Sequence, residues 1–160
     1  MAKLPPDSAF ETRKRESVAQ LLFKCARLVN ERAIAKVNEQ PHPIRLRTSH
    51  TNLFPHLDFD GVRITELARR LDISKQAISQ TIAELELMDV VETIPDPSDG
   101  RARLARFTEK GKLAIQQGLA VLRELEVEIE NSIGHAKFNA LHEALLALEL
   151  VLEPHTEGST

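Results

Sequence analysis

The sequence predicts a mainly α-helical fold with one small β element, and three observations predict it. Apolar residues recur at three- and four-residue steps through both ends of the chain, which is the helical period. A run of turn formers, Pro95-Asp96-Pro97-Ser98-Asp99-Gly100, separates two short segments of strand-like composition. Ahead of it, two short helical segments are divided by a tight break at Asp72-Ile73-Ser74.

The first helix is expected over about residues 8–37, with Val18, Leu21, Leu22, Cys25, Leu28 and Val29 on one face. Pro41 and Pro43 bracket a loop, because proline bars the residue before it from continuing a helix. A shorter helix is expected over roughly residues 46–57, its last turn disturbed by Pro55. Asp60-Gly61 is a turn signal, and Val62-Arg63-Ile64 reads as a short strand. Thr65 is placed as the cap of a helix over 66–71 and Ser74 as the cap of the next, Lys75–Leu87, since a hydroxyl there satisfies a free amide. That second helix is expected to bury Ala77, Ile78, Ile82 and Leu85 and to present Gln76, Ser79, Gln80 and Ala83 on the opposite side.

Residues 90–94 and 104–107 are the expected strands of a hairpin whose tip is too polar to bury. Thr108 caps a long helix to about Ile133, striped by Ile115, Leu119, Leu122, Ile129 and Ile133. Gly118 costs that helix roughly 1 kcal/mol relative to alanine, as a bend or a close contact would require, and Gly134 ends it. The last helix, over about 136–153, carries Phe138, Leu141, Leu145, Leu148 and Leu152 at the spacing of a coiled-coil seam, and Pro154 stops it.

Composition narrows the function. At 160 residues the chain has room for one lobe with a core and a helical extension. It is 42% hydrophobic and 28% charged, an ordinary folded balance. The longest apolar stretch, 144–152, is interrupted by Glu149 and is too short to cross a bilayer, so no membrane partner is expected. The start, Met1-Ala2-Lys3-Leu4-Pro5-Pro6-Asp7, lacks the apolar core and cleavage site of a secretory signal. A single cysteine, Cys25, excludes an intrachain disulfide and fits a reducing compartment, so the cytoplasm is expected. No phosphate-binding loop, zinc-protease helix or nucleophile elbow is present, and spacing does not pair Glu66, Asp72 and Glu84 as acid and base. An enzyme is therefore not expected, nor a cofactor. The histidines form no ligand pair, and a metal site from distant residues such as His42 and Glu31 is the less favoured reading.

The order helix, three-residue turn, helix, hairpin describes a winged helix-turn-helix, and its chemistry favours double-stranded DNA. Gln76, Ser79 and Gln80, with Thr81, give a short-side-chain polar face that can enter the major groove, where an amide can donate to and accept from a base edge. Ser74 and Lys75 stand at the helix N-terminus, where free amides favour a phosphate. Arg101 beside the hairpin tip suits the minor groove, and Arg103 and Arg106 follow it along the strand. The net charge of −3 opposes this reading in bulk, but only the face that meets phosphate has to be positive. The acidic residues gather elsewhere, at Glu124, Glu126, Glu128 and Glu130. With neither Trp nor Tyr, a stacking platform for single strands is not expected. The alternatives from other classes are a winged helix used only for protein contacts and, less favoured, an enzyme.

Three stretches carry a family resemblance. Residues 64–71, Ile-Thr-Glu-Leu-Ala-Arg-Arg-Leu, followed by Ile73-Ser74-Lys75-Gln76-Ala77-Ile78-Ser79, resemble the MarR family of bacterial regulators. So does Leu85-Glu86-Leu87-Met88-Asp89-Val90-Val91-Glu92, where Asp89 replaces the usual glycine. The stretch from Asp96 to Leu104, closing on Phe107-Thr108-Glu109-Lys110-Gly111, is similar to the family's wing. The resemblance implies a homodimer whose terminal helices interlock, with residues 1–45 and 109–160 as the dimerisation region and 46–108 as the DNA-binding lobe. It also implies that Arg101 enters the minor groove, that Asp99 holds the wing, and that the protein is a repressor released by a small molecule. Such effectors, often aromatic acids, would lie near Arg45, Arg47 and His50, where a cation beside Leu53 and Phe54 suits a carboxylate. Cys25 matches the peroxide-sensing thiols of some members, but its place in an apolar stripe favours a buried, inert thiol.

Overall fold

The computed structural model describes residues 7–39 and 45–152. The expected loop at Pro41 and Pro43, the pairing of His42 and the stop at Pro154 lie outside them. The chain divides into two compact units, Met1–Val121 and Leu122–Thr160.

In the first unit the long N-terminal helix is two helices, α1 (Asp7–Glu16) and α2 (Val18–Val37). Ser17 separates them: its backbone is extended, and its hydroxyl accepts the Gln20 N–H at 3.3 Å. A serine within a helical pattern can stop one helix by capping the next. Val18, Leu21, Phe23 and Leu28 of α2 are exposed, and so is Cys25, which corrects its expected burial. The periodicity identifies an apolar face, but among the described residues that face is covered only in part, with Leu22 and Val29 half-buried and no residue of α2 fully buried.

The helix expected over 46–57 contracts to α3 (Thr48–Leu53) and a 3-10 turn (Phe54–His56). Leu46 is held outside the helix by Asn38, whose amide accepts its N–H and donates to its carbonyl at 2.8 and 2.9 Å. Strand β1 (Val62–Arg63) leads directly into α4 (Ile64–Leu71). Arg63 flanks that helix without a side-chain cap, so Thr65 sits inside the first turn rather than capping it. Asp72 ends α4 in the left-handed region at φ 50°, and the Ile73 N–H returns to the Ala68 carbonyl at 3.1 Å. Ser74 then caps α5 (Lys75–Leu87), accepting from the Ala77 N–H at 3.2 Å.

Asp89 turns the chain out of α5 at φ 58° into β2 (Val91–Asp96) and β3 (Asp99–Phe107). The antiparallel sheet has the order β1-β3-β2, with Val62 opposite Ala105 and Ile94 opposite Leu104. Both strands reach further toward the tip than the sequence suggests, leaving only Pro97 and Ser98 to turn. Asp96, expected at a wholly exposed tip, is buried.

Leu53, Leu67, Ile78, Ile82, Leu85, Val91, Ala105 and Phe107 form the core, joining α3, α4 and α5 to the sheet. Thr108 caps α6 (Glu109–Ile133), accepting from the Gly111 N–H at 2.9 Å. Gly111 is required by close approach, since a Cβ there would run into the Val90 carbonyl. Gly118 has no such reason: among the described residues nothing beyond its own helix lies within 4 Å of the place a Cβ would take, and α6 continues through it.

In the second unit the end of α6 passes Gly134, at φ 91°, into α7 (His135–Leu152). The expected seam is only part of its apolar surface, because Leu146, Leu150 and Val151 are exposed beside Leu141, Leu145 and Leu152. Among the described residues no helix is long and apolar enough to cross a membrane.

Candidate nucleic-acid interface

Helix α5 has one apolar side, Ile78, Ile82 and Leu85, seated in the core. At 100° per residue this places Gln76, Ser79, Gln80 and Ala83 together on the far side, and all four are exposed. Ala77, expected among the buried residues, lies a quarter-turn from Ile78 and is exposed on the flank. Thr81 stands on the same flank, but its hydroxyl donates to the Ala77 carbonyl at 3.1 Å. Lys75 is exposed at the helix start and has no partner among the described residues.

The hairpin is braced from inside. Arg63 Nε donates to Asp96 Oδ2 at 2.6 Å, and its Nη2 donates to Ser98 Oγ at 3.1 Å. Asp96 Oδ1 accepts the Ser98 N–H and hydroxyl at 2.8 and 2.7 Å. The Ser98 bonds, aided by Arg63, hold the Asp96 carboxyl down at about 2. Sequence reasoning missed Arg63, Asp96 and Ser98 as anchors. An aspartate two residues before a serine across a proline was the available signal, since an Asp side chain there bonds its own backbone two residues on.

Beyond the brace, Asp99 Oδ1 accepts the Arg101 N–H at 3.1 Å, which fixes the backbone that carries Arg101. The Arg101 side chain is exposed and has no partner among the described residues. Arg103 is instead spent partly within the hairpin, its Nη2 donating to the Thr93 carbonyl at 3.0 Å. Arg106 pairs with Glu92 at 2.8 Å. Arg69 and Arg70 both grip Glu66, whose carboxyl those hydrogen bonds hold down at about 2.

Of the three residues expected around an effector, two are already engaged. His50 has no exposed surface: Arg47 N–H donates to its Nδ1 at 3.2 Å, and its Nε2 lies 2.9 Å from Glu84 Oε2. The Arg47 guanidinium pairs with the same carboxylate. Burial, then the neighbouring Arg47 charge, lowers the His50 pKa from its ordinary value. Glu84 was not paired by spacing, because its partners lie 34 and more residues away. Arg45 is exposed and has no partner among the described residues.

Comparison with known proteins agrees with this geometry. Residues 56–102 match the sequence model of the MarR family. No curated protein matches the chain. Among solved structures, the chain is similar to the Multiple Antibiotic Resistance Repressor MarR, at 20% identity over 85% of this chain and 95% of that one, with a TM-score of 0.66. It is similar to transcriptional regulator Tm0710 from Thermotoga maritima, at 19% identity over 88% and 97%, TM-score 0.64. The transcriptional repressor CouR, bound to a 23-mer DNA duplex, is similar at 19% identity over 92% and 99%, TM-score 0.60. At these identities the likeness is one of fold.

Proposed function

We propose, from the match of residues 56–102 to the MarR family model and the shared fold, that this chain is a MarR-family, sequence-specific regulator of transcription that binds double-stranded DNA in the cytoplasm as a homodimer. Helix α5 enters the major groove with Gln76, Ser79 and Gln80 toward the bases. Ser74, Lys75 and Thr81 border that face, Lys75 meeting phosphate. The wing reaches the minor groove through Arg101, held by Asp99 and flanked by Arg103. The observation that carries this reading is a pairing of opposites. Nearly every other cation of the lobe is matched to a carboxylate or carbonyl, whereas Lys75 and Arg101, the two at the ends of the reading surface, are exposed and unmatched among the described residues.

The dimer is supported by the partly uncovered apolar faces of α2 and α7, taken separately. Residues 1–45 and 109–160 form the dimerisation region in this reading, and 46–108 the DNA lobe. Repression relieved by a small aromatic or carboxylate effector rests on the family alone. Arg47 and His50 are engaged with Glu84, which leaves Arg45 as the cation open to a carboxylate.

The test is selection of duplexes from a random-sequence pool by the purified protein. A recovered consensus with two inverted half-sites is the expected result. A pool that stays random after repeated rounds contradicts the proposal, and capture of a protein without DNA would favour the winged helix as a protein-contact module.

A further inference from the structure

We propose that His50 is a positioning residue for the recognition helix: as a neutral imidazole protonated on Nε2 it ties α5 to α3 through Glu84, and a second proton loosens that tie. The proposal rests on the reading of α5 as the helix that enters DNA.

The geometry dictates the tautomer. The Arg47 amide can only donate, so Nδ1 must accept, and the single ring proton of a neutral imidazole lies on Nε2, aimed at Glu84 Oε2. Both ring nitrogens are thereby satisfied in a side chain with no exposed surface. A second proton goes onto Nδ1, where it faces the Arg47 N–H donor to donor. The amide then loses its acceptor, and a buried cation stands beside the Arg47 guanidinium. The Nε2–H still meets Glu84, so the tie is lost only as the buried cation leaves its seat for water; the groups that face His50 there are Glu84 from α5 and Arg47 from the start of α3. Among the described residues, the elements packed against α3 also carry Lys75 and Glu86 on α5, Lys24, Cys25, Arg27, Glu31, Arg32 and Lys36 on α2, and His56 in the 3-10 turn. Burial and the Arg47 charge both favour the neutral ring, so the tie is intact at neutral pH.

The consequence reaches the DNA face because of where Glu84 stands. It is one helical turn beyond Gln80, on the flank shared with Ala77 and Thr81, and with Arg47 and Ser49 these residues line one shallow hollow. A base-reading amide tolerates only small displacements before its paired hydrogen bonds are lost, so freeing Glu84 blurs the position of Gln80.

The experiment measures affinity for a duplex selected by the protein, from pH 7.5 to 5 at fixed ionic strength, for wild type and His50→Gln. Glutamine offers a carbonyl to the Arg47 N–H and an amide N–H to Glu84, and it does not titrate. Wild-type affinity should fall as pH drops, by up to about tenfold per pH unit for each His50 of the dimer below the imidazole pKa, while H50Q should bind like wild type at pH 7.5 and show a flatter profile. Parallel profiles overturn the proposal. Nitrogen-15 spectra of the wild-type imidazole give an independent reading should the variant fail to fold. The expected result is a proton on Nε2 at neutral pH and a titration in step with affinity. A proton on Nδ1, or midpoints that differ, overturns it. Absence of duplex binding at every pH is a distinct result, which overturns the DNA reading itself.

Discussion

Arg101 and Arg63 show how the same side chain serves two purposes on one hairpin. Arg63 is bound inward to Asp96 and Ser98, while Arg101 is left outward on a backbone steadied by Asp99. Replacing Arg101 with alanine should therefore weaken duplex binding by about 1–3 kcal/mol, without changing the assembly state, and unchanged affinity at moderate salt would mark it as a solvated arginine. The Asp96 brace has a pH signature. Its carboxyl, ordinarily 3.8, sits at about 2 in the folded protein, so its contribution to stability is complete above 3.8 and is lost as pH falls through about 2. Carbon-13 titration of Asp96 should give that low midpoint, and a midpoint near 3.8 would show that the brace does not form in solution. Arg101 was legible in the sequence because a cation beside a turn-rich tip is a local pattern. Arg63 and Asp96 were not, since their contact closes over 33 residues.

At the scale of elements, a capping hydroxyl is legible where the apolar pattern breaks beside it. Ser74 and Thr108 cap as expected, and Asp89 takes the left-handed turn usually given to glycine. Thr65 does not cap because β1 runs straight into α4, so the helix begins at Ile64, two residues earlier than a Thr65 cap would place it. Ser17 was missed because the same chemistry lay hidden within an unbroken apolar pattern. The helix-turn-helix is held by burial more than by caps: Leu67 of α4 has no exposed surface and packs with Ile78 and Leu85 of α5. Leu67→Ala should lower the unfolding free energy by roughly 2–5 kcal/mol in denaturant melts. A loss below about 1 kcal/mol would mean that α4 is not anchored there.

For the whole molecule, the sequence located apolar faces but could not say what covers them. Cys25 was placed in the interior by its neighbours Leu21 and Leu28, yet all three are exposed in the single chain. Helix α7 extends the same lesson, with apolar residues well beyond its expected seam. A helix apolar on most sides requires cover. Sedimentation at micromolar concentration should accordingly give a homodimer, and a monomer would remove the basis for two half-sites. The central claim is that α5 reads sequence. Its most direct test is a titration of Gln76→Ala, Gln80→Ala and Lys75→Ala against the selected duplex and a scrambled one at several salt concentrations. Each glutamine variant should lose about 1–3 kcal/mol of the preference between the two duplexes, while Lys75→Ala weakens both alike and lowers the salt slope by about one. Equal losses on both duplexes for Gln76→Ala and Gln80→Ala would contradict the assignment of the reading face.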